Sequence, residues 1–376
     1  MGNKEKVLVY PYNTEFTPVV RHRKLIDKYE ISQLISPNGW GLCGKDAGYA
    51  DGGLDVGIIV NDGFENSLSD CDSVLFTDSS TLLDIDRYIF PKIESALKAK
   101  KNIIIAAKFK EDILAKIACL CEKEGGRFKH FSPRLQFEFP RIPNEEIQEI
   151  FKIEVPVIFV LGVAERTHKF EIQLSLRERI IDMGYKVSQI GTRAYCELLD
   201  FHSFPEFMFD NSISEVVKII LFNQFVKKIE IDEKPDLIIV GIPGGIMPFD
   251  DTFNNRFGVL AYEVSNAITP DAAILSLFYD DYKIEDLVKL STSIRYKLGT
   301  EVSCYNIANI SFDYKSSQEE RRMIYTTIDS KLVDRKKEYI NSSNIKAYNV
   351  LEENGCHEIA NELIDKLTEY GSVECL

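Results

Sequence analysis

The sequence predicts an α/β protein: two Rossmann-like or P-loop-like parallel-sheet domains, followed by a small C-terminal α+β extension. Two observations carry that expectation. Short apolar runs alternate with helical patterns in both halves of the chain, as parallel strands joined by crossover helices do. Two runs of the second half, 157–161 and 237–240, lead into glycines, as strands do when they deliver a loop to the carboxyl edge of a sheet.

In the first half, the runs 7–9, 31–35, 56–60, 73–76 and 102–106 read as strands. Helical patterns occupy 88–98 and 112–124, and Gly125-Gly126 stops the second of them. The stretch 133–156 carries Pro133, Pro140, Pro143 and Pro156 with little periodicity, so it reads as a connection. In the second half, strands are expected at 157–161, 186–190, 237–240, 272–277 and 301–305, with helices at 169–183, 213–228 and 284–297. A strand at 324–328 and helices at 331–341 and 358–370 follow. The expected division is a Rossmann-like domain over 1–132, a linker over 133–155, a degenerate P-loop-like domain over 156–310 and the extension over 311–376.

Composition removes several classes of function. The chain has 376 residues, 45% of them hydrophobic, enough for two or three domains with real cores. Its net charge is −14, and its basic clusters, at 21–24 and 98–101, are short, so no nucleic-acid groove is expected. No apolar run approaches the roughly 18 residues of a membrane span, so no membrane partner is expected. The eight cysteines form no framework: Cys119 and Cys121 make C-x-C, and no C-x-x-C occurs. With no secretory signal at the N-terminus, this usage implies a reducing cytoplasm. The histidines show no metal-binding spacing and no nucleophile elbow appears, so no metal site is expected and no catalytic residue is assigned.

The segment from Gly162 to Lys169, GVAERTHK, follows a strand and opens a helix. A phosphate-binding loop needs backbone N–H groups aimed at an anion, a helix N-terminus behind them and a lysine for charge. Here the usual G-x-x-x-x-G-K-[ST] is altered: His168 precedes the lysine, Phe170 follows it, and the spacing is one residue longer. Lys169 would sit at the positive end of the helix dipole, where a cation is unfavourable unless an anion is bound. Gly162, Thr167, His168 and Lys169 are therefore candidate cofactor-binding residues. Gly241, Gly244 and Gly245 in PDLIIVGIPGG join them, and so do Thr192 and Arg193, which could supply a hydroxyl and a guanidinium fork at the same sheet edge. Asp236, Asp250 and Asp251 are the carboxylates available for a magnesium ion. The cofactor is left between a nucleotide and coenzyme A.

A second candidate is SPNGWGLCGKDAGYADGG, residues 36–53, which holds the single tryptophan. A linker would be rich in Gly and Ser without aromatics. Gly39, Trp40, Gly41, Lys45, Asp46, Tyr49 and Asp51 are instead the mixture of an ordered, substrate-facing recognition loop.

Together with YPYNTEF, YKVSQIGT and DLIIVGIPGG, this loop resembles the clostridial peptide maturation system proteins, which accompany Cys-rich ribosomal peptides. More distantly, the strand–Gly–loop–Lys–Phe helix is similar to the D-glutamate N-acetyltransferase-like family with a degenerate P-loop. His168 and Glu171 depart from that family's Gly before Lys and Thr after Phe. The first resemblance implies a precursor peptide and a radical SAM maturation enzyme as partners. Three roles follow as expectations: an accessory protein or enzyme of ribosomal-peptide maturation that binds a phosphate-bearing ligand, a non-catalytic precursor-peptide binding module, or an acyl-CoA-dependent N-acyltransferase. Whether the chain is an enzyme, and whether it forms a homo-oligomer, stay open at this stage.

Overall fold

The computed structural model describes residues 4–79, 83–131 and 149–371. Most of the expected linker, 133–148, lies outside the described residues. The chain divides into two compact units, Met1–Ser132 with Ala194–Asp200, and Pro133–Arg193 with Phe201–Leu376. Both are α/β with parallel main sheets.

The first unit has six strands: β1 (Glu5–Tyr10), β2 (Tyr29–Ile35), β3 (Val60–Asn61), β4 (Ser73–Phe76), β5 (Asn102–Ile105) and β6 (Phe128–His130). Their order, β3-β2-β1-β4-β5-β6, is the doubly wound Rossmann arrangement. Helices α1 (Thr17–Arg21), α2 (Phe64–Ser67), α3 (Phe90–Lys98) and α4 (Glu111–Glu124) connect them. The central strands read as continuous apolar runs because helices cover both faces; Leu8, Val74 and Ile103 are fully buried. Gly125, in the left-handed region at φ 73°, ends α4 as expected.

The expected strand at 56–60 shortens to Val60–Asn61. Asp46 is the cause: its carboxylate accepts from the N–H groups of Val56 and Gly57, both at 2.8 Å, and holds that segment in the 36–59 loop instead of the sheet. Asp51 anchors the same loop through a two-pronged ion pair with Arg21, both contacts at 2.8 Å, with the carboxylate almost fully buried. Asp51→Ala is expected to lower unfolding stability by about 3 kcal/mol, since it breaks a largely buried two-pronged ion pair. Urea denaturation checks this; a loss under about 1 kcal/mol would remove Asp51 as the anchor.

The second unit's main sheet has seven parallel strands: β7 (Val157–Gly162), β8 (Val187–Gly191), β9 (His202–Ser203), β10 (Leu237–Gly241), β11 (Ala272–Leu277), β12 (Cys304–Ile307) and β15 (Ala347–Tyr348). Their order is β15-β12-β11-β7-β10-β8-β9. A separate antiparallel pair joins β13 (Ile310–Phe312) to β14 (Tyr325–Thr327). The helices are α5 (Lys169–Asp182), α6 (Glu215–Glu233), α7 (Val259–Ala267), α8 (Ile284–Leu298), α9 (Tyr314–Glu320), α10 (Val333–Asn341) and α11 (Gly355–Gly371). The chain beyond residue 310 returns to the main sheet, because β15 pairs with β12 and α11 packs on α5.

Packing explains where elements differ from expectation. Helix α5 is buried nearly all round in its first two turns, polar residues included, and Ile172, Leu176 and Ile180 share one core with Ile158 and Val160 of the sheet and with Ile359 and Leu363 of α11, which packs on both α5 and the sheet. Ile181, on the other side of the helix, is exposed. Helix α6 runs five residues past its expected end because Ile229 and Glu230 are also buried. Glu230 accepts from the N–H groups of Glu154 and Val155, fastening the chain just before β7. Among the described residues, no helix is long and apolar enough to cross a membrane.

Candidate functional site

Strands β7, β8 and β10 are neighbours and run in the same direction. Each ends in a glycine: Gly162, Gly191 and Gly241. Their loops therefore emerge at one carboxyl edge of the sheet, where open α/β folds bind ligands. The segment between Gly162 and α5 turns through two left-handed residues, Arg166 (φ 61°) and His168 (φ 59°). Left-handed residues are a component of the concave N–H nests that take anions.

Gly162 leaves room for the loop to fold back: a Cβ there would meet the Thr167 hydroxyl at 2.5 Å and Lys169 Cδ at 2.9 Å. The Thr167 hydroxyl donates to the Ala164 carbonyl at 3.1 Å and is fully buried, so it staples the turn. His168 Nε2 lies 2.6 Å from Asn309 Oδ1. Ser276, at the end of β11, donates its hydroxyl to the Thr167 carbonyl and receives the Val163 N–H at its own carbonyl, 3.0 Å away. The loop is thus fixed by the ends of the neighbouring strands.

Lys169 opens α5 and is only 4% exposed. Its ammonium donates to the Gly244 carbonyl and lies 3.8 Å from a Glu165 carboxylate oxygen. The other Glu165 oxygen accepts from the Gly244 N–H at 2.6 Å. Burial pushes the Lys169 ammonium below its ordinary pKa; the Glu165 charge opposes that and Arg193 adds to it. The Lys169 charge holds the Glu165 carboxyl below its usual range, with Arg193 and Arg256 contributing. Three cations therefore bear on one carboxylate.

Gln173, one turn into α5, ties the edge together. Its amide donates to the Lys169 carbonyl at 2.9 Å and to the Thr192 hydroxyl at 3.4 Å, and its oxygen receives the Thr192 N–H at 3.3 Å. A Cβ at Gly241 would collide with this side chain. In a P-loop nucleoside triphosphatase, the residue after the lysine and an acid on a neighbouring strand hold magnesium. Here Phe170 follows the lysine, and β10, beside β7, ends in Gly241 packed on Gln173. Of the carboxylates considered for a metal, Asp236 precedes β10 and lies at the opposite edge, and Asp250 turns back on the N–H groups of Thr252 and Phe253, both at 2.7 Å.

Gly245 lies against Asn255, whose amide donates to the Val163 carbonyl at 2.8 Å and to the Met247 carbonyl at 2.9 Å. Asn255 begins a run of four left-handed residues, with Arg256 (φ 52°), Phe257 (φ 56°) and Gly258 (φ 66°). Such a turn costs about 1–2 kcal/mol per non-glycine residue, and strain of this kind collects at functional sites. Here it holds Arg256, whose charge acts on Glu165.

Lys169, Gly162, Thr167, Gly244, Thr192 and Gly241 are thus gathered at one edge, with Arg193 set over the Phe170 ring at 5.8 Å. Sequence reasoning missed Glu165, Gln173, Asn255 and Arg256. A carboxylate inside an anion loop, and Asn-Asn-Arg-Phe-Gly just after PGG, were the available signals.

The 36–53 loop belongs to the first unit and follows β2. Gly39, Gly41 and Gly44 are left-handed with open space where a side chain would go. Asp46 also caps Gly48 at 2.8 Å. Tyr12 donates to the Ala47 carbonyl at 2.7 Å and Thr14 to the Ala50 carbonyl at 2.9 Å. Lys45 lies 3.6 Å from the centre of the exposed Tyr49 ring, and Trp40 is half-buried. Asp46 spends its oxygens on the loop itself and Asp51 on Arg21 of α1 and the Gly53 N–H; Trp40, Lys45 and Tyr49 form the loop's accessible part.

No protein-family model matches the chain, and no curated protein does. Among solved structures, it is similar over almost its whole length to a DUF1611 family protein from Anabaena variabilis ATCC 29413. That match has a TM-score of 0.61 and 9% identity, and covers 97% of this chain and 100% of the other. At this identity the likeness shows the shared fold alone. An amine dehydrogenase from Mycobacterium smegmatis matches with 16% identity over 35% of this chain and 40% of its own, at a TM-score of 0.27. The signal recognition particle receptor FtsY from Elizabethkingia anophelis matches with 13% identity over 65% and 76%, at 0.25. Scores this low carry no argument. None of these three is by name a peptide-maturation protein or a D-glutamate acetyltransferase.

Proposed function

We infer that the second unit binds a phosphate-bearing ligand at the 162–169 loop, and does so without magnesium. One observation carries this reading: a lysine buried at the positive end of a helix, with two arginines acting on the same carboxylate. Burying the Lys169 ammonium there is costly unless an anion faces it, and the half-buried Arg193 and exposed Arg256 add positive charge around the same carboxylate. Phe170 in place of a metal-binding hydroxyl, and Gly241 at the end of the neighbouring strand, favour a ligand whose phosphates need no metal. Coenzyme A is such a ligand, so acyl-CoA-dependent N-acyl transfer is the chemistry the donor set supports over nucleotide hydrolysis. The resemblance to the D-glutamate N-acetyltransferase-like family points the same way.

The proposed setting is ribosomal-peptide maturation in the cytoplasm, with a precursor peptide and a radical SAM enzyme as partners. It rests on the sequence resemblance centred on 36–53. The order of that loop, with Trp40, Lys45 and Tyr49 accessible, also supports the alternative of a non-catalytic peptide-binding module.

A thermal-shift panel tests these readings together, using ATP, GTP, acetyl-CoA and a synthetic Cys-rich peptide, each with EDTA and with Mg²⁺. Acetyl-CoA is expected to raise Tm by about 3 °C at saturation, equally in both conditions. ATP turnover is expected to be absent. A shift that requires Mg²⁺, with steady-state hydrolysis, would sink the metal-free reading; a shift with the peptide alone would favour the binding module.

A further inference from the structure

The anion seat of the second unit already holds an anion, and it is the protein's own. One Glu165 oxygen takes the Gly244 N–H and the other faces Lys169, and the charges of Arg193 and Arg256 favour the ionised carboxylate. The two partners of the ion pair differ in access: Lys169 is 4% exposed and Glu165 is 61% exposed. A buried lysine left without a counter-charge is costly. An exposed glutamate can leave into water for the loss of one screened ion pair and one hydrogen bond. The seat is therefore better suited to exchanging one anion for another than to standing empty.

We propose that Glu165 is a resident competitor that sets ligand choice here: the ligand presents a terminal phosphate, and the Glu165 carboxylate swings out as that phosphate enters. This deepens the phosphate-site reading and rests on it. A carboxylate ligand would only repeat contacts that Glu165 already makes. A terminal phosphate brings a second negative charge and a third acceptor oxygen, which the positive charge of Lys169 favours, with Arg193 and Arg256 adding to the field there. An internal phosphodiester carries one charge and gains less. Glu165 thus screens carboxylates out and admits dianionic phosphates.

Calorimetric titration of the full chain tests this, with inorganic pyrophosphate and succinate as probes in EDTA. The chains compared are wild type, Glu165→Gln and Glu165→Ala, with circular dichroism confirming that each is folded. The alanine variant guards against the glutamine amide holding the Gly244 N–H. Both variants are expected to bind pyrophosphate at least about 10-fold tighter than wild type, and succinate binding, silent in wild type, is expected to become measurable. Pyrophosphate binding seen only in the variants also supports a competitor. Folded variants that bind pyrophosphate no tighter than wild type overturn the competitor role and leave the phosphate site standing. No pyrophosphate binding by any of the three removes the phosphate site itself, and the competitor with it.

Discussion

Lys169→Met is expected to weaken binding of pyrophosphate or coenzyme A by roughly 30- to 100-fold, the worth of one charge-assisted contact, while Tm moves by only a few degrees. Methionine keeps most of the side chain's length and apolar stem, so the packing of α5 is retained. The charge it removes is one that burial already disfavours. Replacing such a group by an apolar one is often close to neutral for folding. Its former partner Glu165 is largely exposed and returns to water without being orphaned. Binding that survives the substitution would show that the loop's backbone and the arginines suffice, and that Lys169 is a structural lysine. A large drop in Tm would instead place its main role in holding the Gly244 carbonyl.

Gly258→Ala is expected to cost more than about 3 kcal/mol of stability, whereas Gly299→Ala should cost about 1 kcal/mol. Both glycines are left-handed, at φ 66° and 73°, so both substitutions meet backbone strain. Only at Gly258 would the new Cβ also strike backbone, namely the Ile246 carbonyl group and the Met247 nitrogen at 2.7 Å. Backbone cannot rotate away as a side chain does. The collision falls on the left-handed turn that holds Arg256, so ligand binding should fall along with stability. Urea denaturation of the two variants side by side separates strain from collision. Equal losses would mean that the turn yields freely and that its left-handed run has no structural hold on the site.

The fold class was readable from the chain because the strands are buried on both faces. Runs such as 157–161 and 237–240 have to be apolar throughout, and the glycines after them mark where the chain turns at the sheet edge. Helix starts and stops with local causes were also readable: Lys169 begins α5, and Gly125 ends α4. Elements governed by distant partners were not. The segment 56–60 reads as a strand by composition but is captured by Asp46, ten residues earlier and on no common pattern with it. The core that α5 enters is completed by α11, nearly two hundred residues later, which packs on both α5 and the sheet.

The same division holds at the candidate site. A strand, a glycine, a loop and a lysine at a helix start are local features, so the 162–169 segment could be found in one dimension. What fills the anion seat is not local. That Glu165 meets Lys169 and the Gly244 N–H together depends on β10 lying beside β7, a strand order that no local pattern encodes. That Gly241 is required follows from Gln173 reaching across the edge. That Arg256 acts on the same carboxylate follows from a turn whose strain is held by the Val163 carbonyl, 92 residues away. Sequence fixes which residues are apolar, flexible or charged because those are properties of single side chains. Which charges meet is decided by strand order and packing, since ion pairs and hydrogen bonds act over a few ångströms whatever the distance along the chain.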